Sequence, residues 1–74
     1  MSVKRIKDGN SYLIEISGFI KKISASGKAI LFNDGDSDHW IPVSQIQNDM
    51  AEIDEGVVIE LILPEWLAKE KELI

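Results

Sequence analysis

Trp40-Ile41-Pro42-Val43-Ser44-Gln45-Ile46 is the stretch that decides the fold. His39 to Ile41 reads as a strand and must stop at Pro42, because proline has no N–H to give to a ladder. Val43 to Ile46 then has the length of a single 3₁₀ or helical turn. A second tryptophan stands at a matching junction, Pro64-Glu65-Trp66-Leu67-Ala68-Lys69. Pro64 suits the first helical position, Glu65 meets the positive end of the helix dipole, and Glu65 and Lys69 form an i, i+4 pair. A helix over 64–73 follows, with Trp66, Leu67, Leu73 and Ile74 as its apolar stripe. That stripe is expected to plug one end of a small β-barrel, burying Trp66 and packing Trp40 at the rim against it.

Outward from these junctions, strand and turn signals alternate at short spacing. Val3 to Lys7 makes a first strand, ended by Asp8-Gly9-Asn10. Tyr12 to Ile23 is the longest strand: Tyr12, Ile14, Ile16, Gly18 and Ile20 share one face, and Leu13, Glu15, Ser17, Phe19 and Lys21 the other. Ile23 breaks the parity set by Ile20, so a bend or bulge is expected near Gly18 to Lys22. Ser24 to Gly27 turns the chain into Lys28 to Asn33. Asp34-Gly35-Asp36-Ser37 makes the next hairpin, Asp-Gly being the preferred pair of type I′ turns. Gln47 to Gly56 is polar and acidic and is expected as a surface loop before the last strand, Val57 to Leu63. Five short strands and a C-terminal helix predict one mainly-β domain over 1–74. An SH3-like barrel is favoured over an OB-like one, because the hairpins are tight and the 3₁₀ turn falls just before the final strand.

A chain of 74 residues buries only about 60% of the surface its unfolded form exposes. There is no cysteine, which excludes disulfides and thiol chemistry and suits a reducing cytoplasm. The start Met1 to Lys7 is basic without a following apolar run, and no stretch reaches the ~20 residues that span a bilayer. A soluble cytoplasmic protein, monomeric or a homodimer, is expected. The net charge of −5 is unevenly placed. Residues 1–30 carry six bases and two acids, whereas residues 31–64 carry eight acids and no base.

Asp34-Gly35-Asp36-Ser37-Asp38 opens like a calcium loop, but His39 and Gln45 stand where that loop needs Gly and the bidentate Glu. No metal or cofactor is expected. His39 lacks a nucleophile partner, since Ser44 lies five residues on at a turn, and so small a barrel has little room for a water-excluding pocket. Enzymatic activity is therefore not expected. Tyr12, Phe19 and Trp40 with Lys21, Lys22 and Lys28 have the composition of a platform for unstacked bases.

The segment His39 to Ile46, with Ile62-Leu63-Pro64-Glu65-Trp66-Leu67-Ala68-Lys69-Glu70-Lys71, resembles a group of small proteins of phage and prophage genomes. The similarity covers roughly residues 18–74, the strand order included; the basic start lies outside it. It implies a mobile-element protein of one small barrel and transfers no activity. With the charge pattern it leads to a non-enzymatic binding protein acting through an acidic face: Asp34, Asp36, Asp38, Asp49, Asp54 and Glu55. The partner would be a protein with a basic surface, such as a host nucleic-acid or defence enzyme. The alternative is a single-strand nucleic-acid-binding accessory using Phe19, Lys21, Lys22, Lys28 and Trp40. Trp40, Pro42, Pro64 and Trp66 are assigned structural roles.

Overall fold

The longest strand organises everything else. The computed structural model describes residues 3–74, so Met1 and Ser2 of the basic start lie outside the described residues. Five strands, β1 (Val3–Asp8), β2 (Ser11–Ile23), β3 (Ala29–Asn33), β4 (Asp38–Pro42) and β5 (Val58–Pro64), precede one helix, α1 (Glu65–Glu70). Along one edge β2 pairs with β5, from Leu13↔Pro64 to Phe19↔Val58. Along the other it pairs first with β1, from Asp8↔Ser11 to Val3↔Ile16, and then with β3, from Phe19↔Asn33 to Ile23↔Ile30. β4 adds to β3. All ladders are antiparallel, and β2 serves two sets of neighbours.

The expected bulge lies between Ile20 and Lys22, where the register against β3 shifts. Lys21 is the extra residue. It lets Ile20 and Ile23 face the same side although they are three apart, opposite Phe32 and Ile30. Gly18 has a separate reason. A Cβ there would collide with the Phe32 ring and the Asn33 carbonyl, so the core ring uses the space a side chain would fill.

Among the described residues no ladder joins β4 to β1 or β5. The sheet is open where the sequence leads one to expect a closed barrel. The free edge of β5 is instead covered by the linker after the first 3₁₀ turn (Val43–Gln45). Gln47 N donates to the Ile62 carbonyl at 2.8 Å, and the Asn48 amide accepts from Ile62 N at 2.7 Å and donates to the Glu60 carbonyl at 2.9 Å. The acidic linker is thus structured, with a second 3₁₀ turn at Met50–Glu52, Ile46 in the core and Ile53 packed against it.

The core joins Ile14, Ile16 and Ile20 of β2 to Ile30, Phe32, Ile41, Leu61 and Leu63, with Leu67, Ala68 and Leu73 closing one end. Trp66 does not take part: it is 57% exposed, which corrects the expectation of a buried plug. Trp66 lies beside Tyr12 and Leu13, while Trp40 projects next to Leu31, so the two tryptophans do not form the expected rim contact. Helix α1 is shorter than 64–73, and Pro64 is its N-cap, still in β5, with Glu65 as the first helical residue. Glu72, at φ 59°, ends the helix in the left-handed region. Leu73 N donates to the Ala68 carbonyl and Glu72 N to the Lys69 carbonyl. This double closure turns Leu73 back into the core.

The β3–β4 hairpin also departs from expectation. Type I′ needs positive φ at both central residues, but only Gly35 has it, at 105°. Asp34 holds the turn: its Oδ1 accepts from Asp36 N at 2.8 Å and Ser37 N at 2.9 Å. No helix among the described residues is long and apolar enough to cross a membrane.

Candidate binding surface

Alternation along the strands fixes what the outer face of the sheet presents. Register places Lys22, Leu31 and Trp40 in one row across β2, β3 and β4. The next row is Val58, Phe19, Asn33 and Asp38. Glu60 opposite Ser17 follows, then Ile62, Glu15 and Lys4. Trp40 is 46% exposed, Phe19 37% and Val58 79%. Phe19 and Val58 are directly paired, so they form an apolar ridge that the protein leaves in water.

One flank of this ridge falls into a groove of about 700 Å³ between β5 and the linker. Five carboxylates line it, from Glu15, Asp49, Glu52, Asp54 and Glu60, with Val57, Ile59 and Ile62 beneath and no basic residue. Glu15 and Glu60 are diagonal neighbours across β2 and β5, one pair apart in register. A hydrogen bond to Glu15, and then its charge, hold the Glu60 carboxyl above the usual carboxylate range. The other flank is a hollow of about 340 Å³ at the hairpin tip, lined by Asn33, Asp34 and Gly35 as well as Phe19 and Val58.

The acidic residues assigned from sequence do not form one face. Asp34 is buried in its own turn; the Ser37 N–H first, then the Asp36 N–H and His39, hold its carboxyl below the ordinary value. Asp38 accepts from Asn33 Nδ2 at 2.8 Å and from Lys21 Nζ at 3.1 Å, and these bonds, Asn33 foremost, lower its pKa. Asp36 is exposed at the tip. Asp49 caps the second 3₁₀ turn through Ala51 N at 3.0 Å. Asp54 Oδ1 takes the Glu55 N–H at 2.8 Å, and Glu55 Oε2 takes the Ile23 N–H at 2.9 Å, fastening the linker to the bulged end of β2. Glu15, Glu52, Glu60 and Val58 are the members of the surface that the sequence assignment missed. Glu60 did leave a signal: it is the one carboxylate, at an outward position, of an otherwise apolar strand.

The aromatic platform is likewise split. Phe19 and Trp40 lie on the outer face, but Tyr12 sits under Arg5, whose guanidinium is 3.5 Å from the ring centroid. Lys21 is spent on Asp38, while Lys22 stands in the row with Trp40 and Lys28 is exposed at the hairpin end. His39 Nε2 lies 3.0 Å from Asp34 Oδ2 and 3.2 Å from Ser37 Oγ. Both partners meet the same ring nitrogen, whereas a relay of acid, imidazole and nucleophile uses the two nitrogens separately. Among the described residues no group of His, Asp and Glu is placed to hold a metal ion.

Fold and surface together define an open five-stranded antiparallel sheet with a short helix and an exposed, acid-flanked apolar ridge. Comparisons with protein-family models, with curated proteins and with solved structures gave no match to this chain.

Proposed function

We propose that this chain is a non-enzymatic binding module that grips a basic protein surface with the Phe19–Val58 ridge and the carboxylates of the neighbouring groove. The observation that carries it is the ridge itself: a strongly exposed valine paired with an exposed phenylalanine, beside five carboxylates without a base. Apolar anchors at the centre of a contact supply most of its affinity, and charges around them set orientation and encounter rate. A surface that evolved to hold phosphates is one such partner, and the likeness to phage proteins makes a host nucleic-acid or defence enzyme the natural candidate. We take the sheet as an opened SH3-like barrel, because one edge of β2 passes from β1 to β3 between Ile16 and Phe19 while the other keeps β5.

A second reading, single-stranded nucleic-acid binding, is favoured by the outward position of Trp40 beside Leu31 and Lys22. It is the weaker one, because phosphates following a strand from Trp40 to Phe19 would approach Glu60 and Glu15. One pull-down from host lysate separates the two. Changing Glu15, Glu52 and Glu60 together to Gln, or Val58 to Asn, should abolish partner capture without unfolding, as surface changes usually stay within about ±0.5 kcal/mol. Changing Lys21, Lys22 and Lys28 to Gln should leave capture intact. Tight binding of single-stranded DNA that weakens steeply with salt and vanishes in the lysine variant would overturn the proposal.

A further inference from the structure

We infer that the open stretch of the β5 edge, Val58 to Glu60, takes its partner as an added strand: a short extended segment with a basic residue two places before an apolar one. The inference deepens the proposed contact at the ridge and rests on that reading, since it gives the form in which the basic partner is gripped.

The main chain of β5 has two sides. Ile20 N donates to the Val57 carbonyl at 2.9 Å, so Val57 and, by alternation, Ile59, Leu61 and Leu63 turn their main-chain groups to β2. Val58, Glu60 and Ile62 turn theirs to the opposite edge. There the linker satisfies both groups of Ile62 and the carbonyl of Glu60. Among the described residues nothing on that edge bonds to the Val58 N–H, the Val58 carbonyl or the Glu60 N–H. These groups face the groove of about 700 Å³ that opens where the linker leaves β5 for its second 3₁₀ turn. The other edges of the sheet are blunted. β1 carries Lys4, Arg5, Lys7 and Asp8, and β4 is five residues long and ends in Pro42; charge, shortness and proline keep an edge from pairing. Val58 has none of these devices, being β-branched and 79% exposed.

The form of the occupant follows from these free groups. Only extended main chain meets donors and acceptors in this alternation. Val58 keeps both its N–H and its carbonyl, and an antiparallel neighbour returns both bonds from one residue. The carbonyl two places before that residue then takes the Glu60 N–H. Residues directly opposite one another share a face of the sheet. The side chain paired with Val58 therefore lies on the outer face and lengthens the Phe19–Val58 ridge, which asks for an apolar residue. The side chain paired with Glu60 enters the groove, with Glu60 on one side and the linker carboxylates of Asp49, Glu52 and Asp54 on the other. Charge complementarity makes it lysine or arginine, because the groove lining holds no base and Lys4 stands only at its Glu15 end. In chain order the segment reads basic, any, apolar.

The test titrates the isotope-labelled full chain, followed by nuclear magnetic resonance, with short peptides capped at both ends and carrying Arg-Thr-Val at their centre. Saturable shifts of the Val58 and Glu60 amide signals are expected, with slowed hydrogen exchange at both. Methylating the nitrogen of the peptide's valine, which donates to the Val58 carbonyl, should weaken binding about tenfold or more, the loss of one well-placed hydrogen bond with its acceptor left bare. Methylating the nitrogen of its threonine, which points away from β5, should leave binding intact. Glutamine in place of the peptide's arginine, or Glu52→Gln with Glu60→Gln in the protein, should weaken binding severalfold. Equal binding of the two methylated peptides, Val58 and Glu60 amides that do not respond, or no binding through millimolar peptide would overturn the inference. So would concentration-dependent dimerisation through the same amides without peptide, which would make a second copy the occupant. Partner capture from lysate keeps the two proposals apart. If the peptides fail while Val58→Asn still abolishes capture, strand addition falls and the ridge reading stands; if Val58→Asn captures the partner as wild type does, both fall.

Discussion

Gly18 shows how much one missing side chain can decide. Its place on β2 is filled by the ring of Phe32, which is itself fully buried. The colliding atoms are a core ring and a backbone carbonyl, neither of which can swing aside like the tip of a long side chain. Gly18→Ala should therefore force β2 and β3 apart and destabilise the fold by about 2–3 kcal/mol, the range of overpacked cores. In a chain of this size that is a fall of the order of 10–20 °C in Tm. An unchanged midpoint in thermal unfolding followed by circular dichroism would show that the ring has room to move. The sequence marks Gly18 as odd, a glycine in mid-strand, but it cannot say that the cause is a ring from a strand fourteen residues on. Alternation, by contrast, is a local property: it put Ile14, Ile16 and Ile20 on one face of β2 without knowledge of partners, and that face is the core. The parity break at Ile23 gave the bulge for the same reason.

At the scale of elements, α1 is where the sequence misled. Trp66, Leu67, Leu73 and Ile74 look like one stripe only if the helix runs through them. The helix stops after six residues, and the reversal at Glu72 brings Leu73 inward by a route that helical spacing does not describe. The residues anchoring α1 are Leu67, Ala68 and Leu73, and Trp66 stands outside. Two substitutions one position apart should then behave oppositely. Trp66→Ala is expected to change stability by about 1 kcal/mol or less, as for surface positions. Leu67→Ala should cost about 2–5 kcal/mol through lost burial and the cavity left behind. Urea denaturation of the two variants decides it: a midpoint that falls further for Trp66→Ala than for Leu67→Ala would put the tryptophan back in the core. The turns show a similar limit. Asp-Gly correctly announced a reversal at residues 34–37, yet the turn type was set by the Asp34 carboxylate reaching two N–H groups, a tertiary choice invisible in the dipeptide.

Across the whole molecule the uneven charge of the sequence is partly mixed and partly preserved. Arg5 with Glu65 and Lys21 with Asp38 bring the basic and acidic stretches together. The groove beside the Phe19–Val58 ridge keeps five carboxylates with no base in its lining, Lys4 standing only at its Glu15 end, because β2 contributes Glu15 to a wall otherwise built from the acidic second half. A cross-strand meeting of this kind depends on register, so the candidate surface was less legible than the core. Its signature is pH dependence. Glu60 has a raised pKa in the fold, so its repulsion with Glu15 opposes folding at neutral pH and is relieved as the pH falls through that raised value. Asp34 and Asp38 have lowered values, so their support is present above the ordinary carboxylate range and is lost only as the pH falls through their depressed ones. Mild acidification should therefore relieve the repulsion at Glu60, whereas stronger acid should weaken the fold through Asp34 and Asp38. Glu60→Gln removes the repulsion at every pH. Its Tm should lie above that of the wild type at pH 7, and the gap should close as the pH drops and Glu60 takes up its proton. A gap that persists unchanged into acid would mean that the glutamine stabilises by something other than relieved repulsion. A lower Tm for the variant at pH 7 would mean that Glu60 is a stabilising charge, and that the acidic groove is not held against an electrostatic cost.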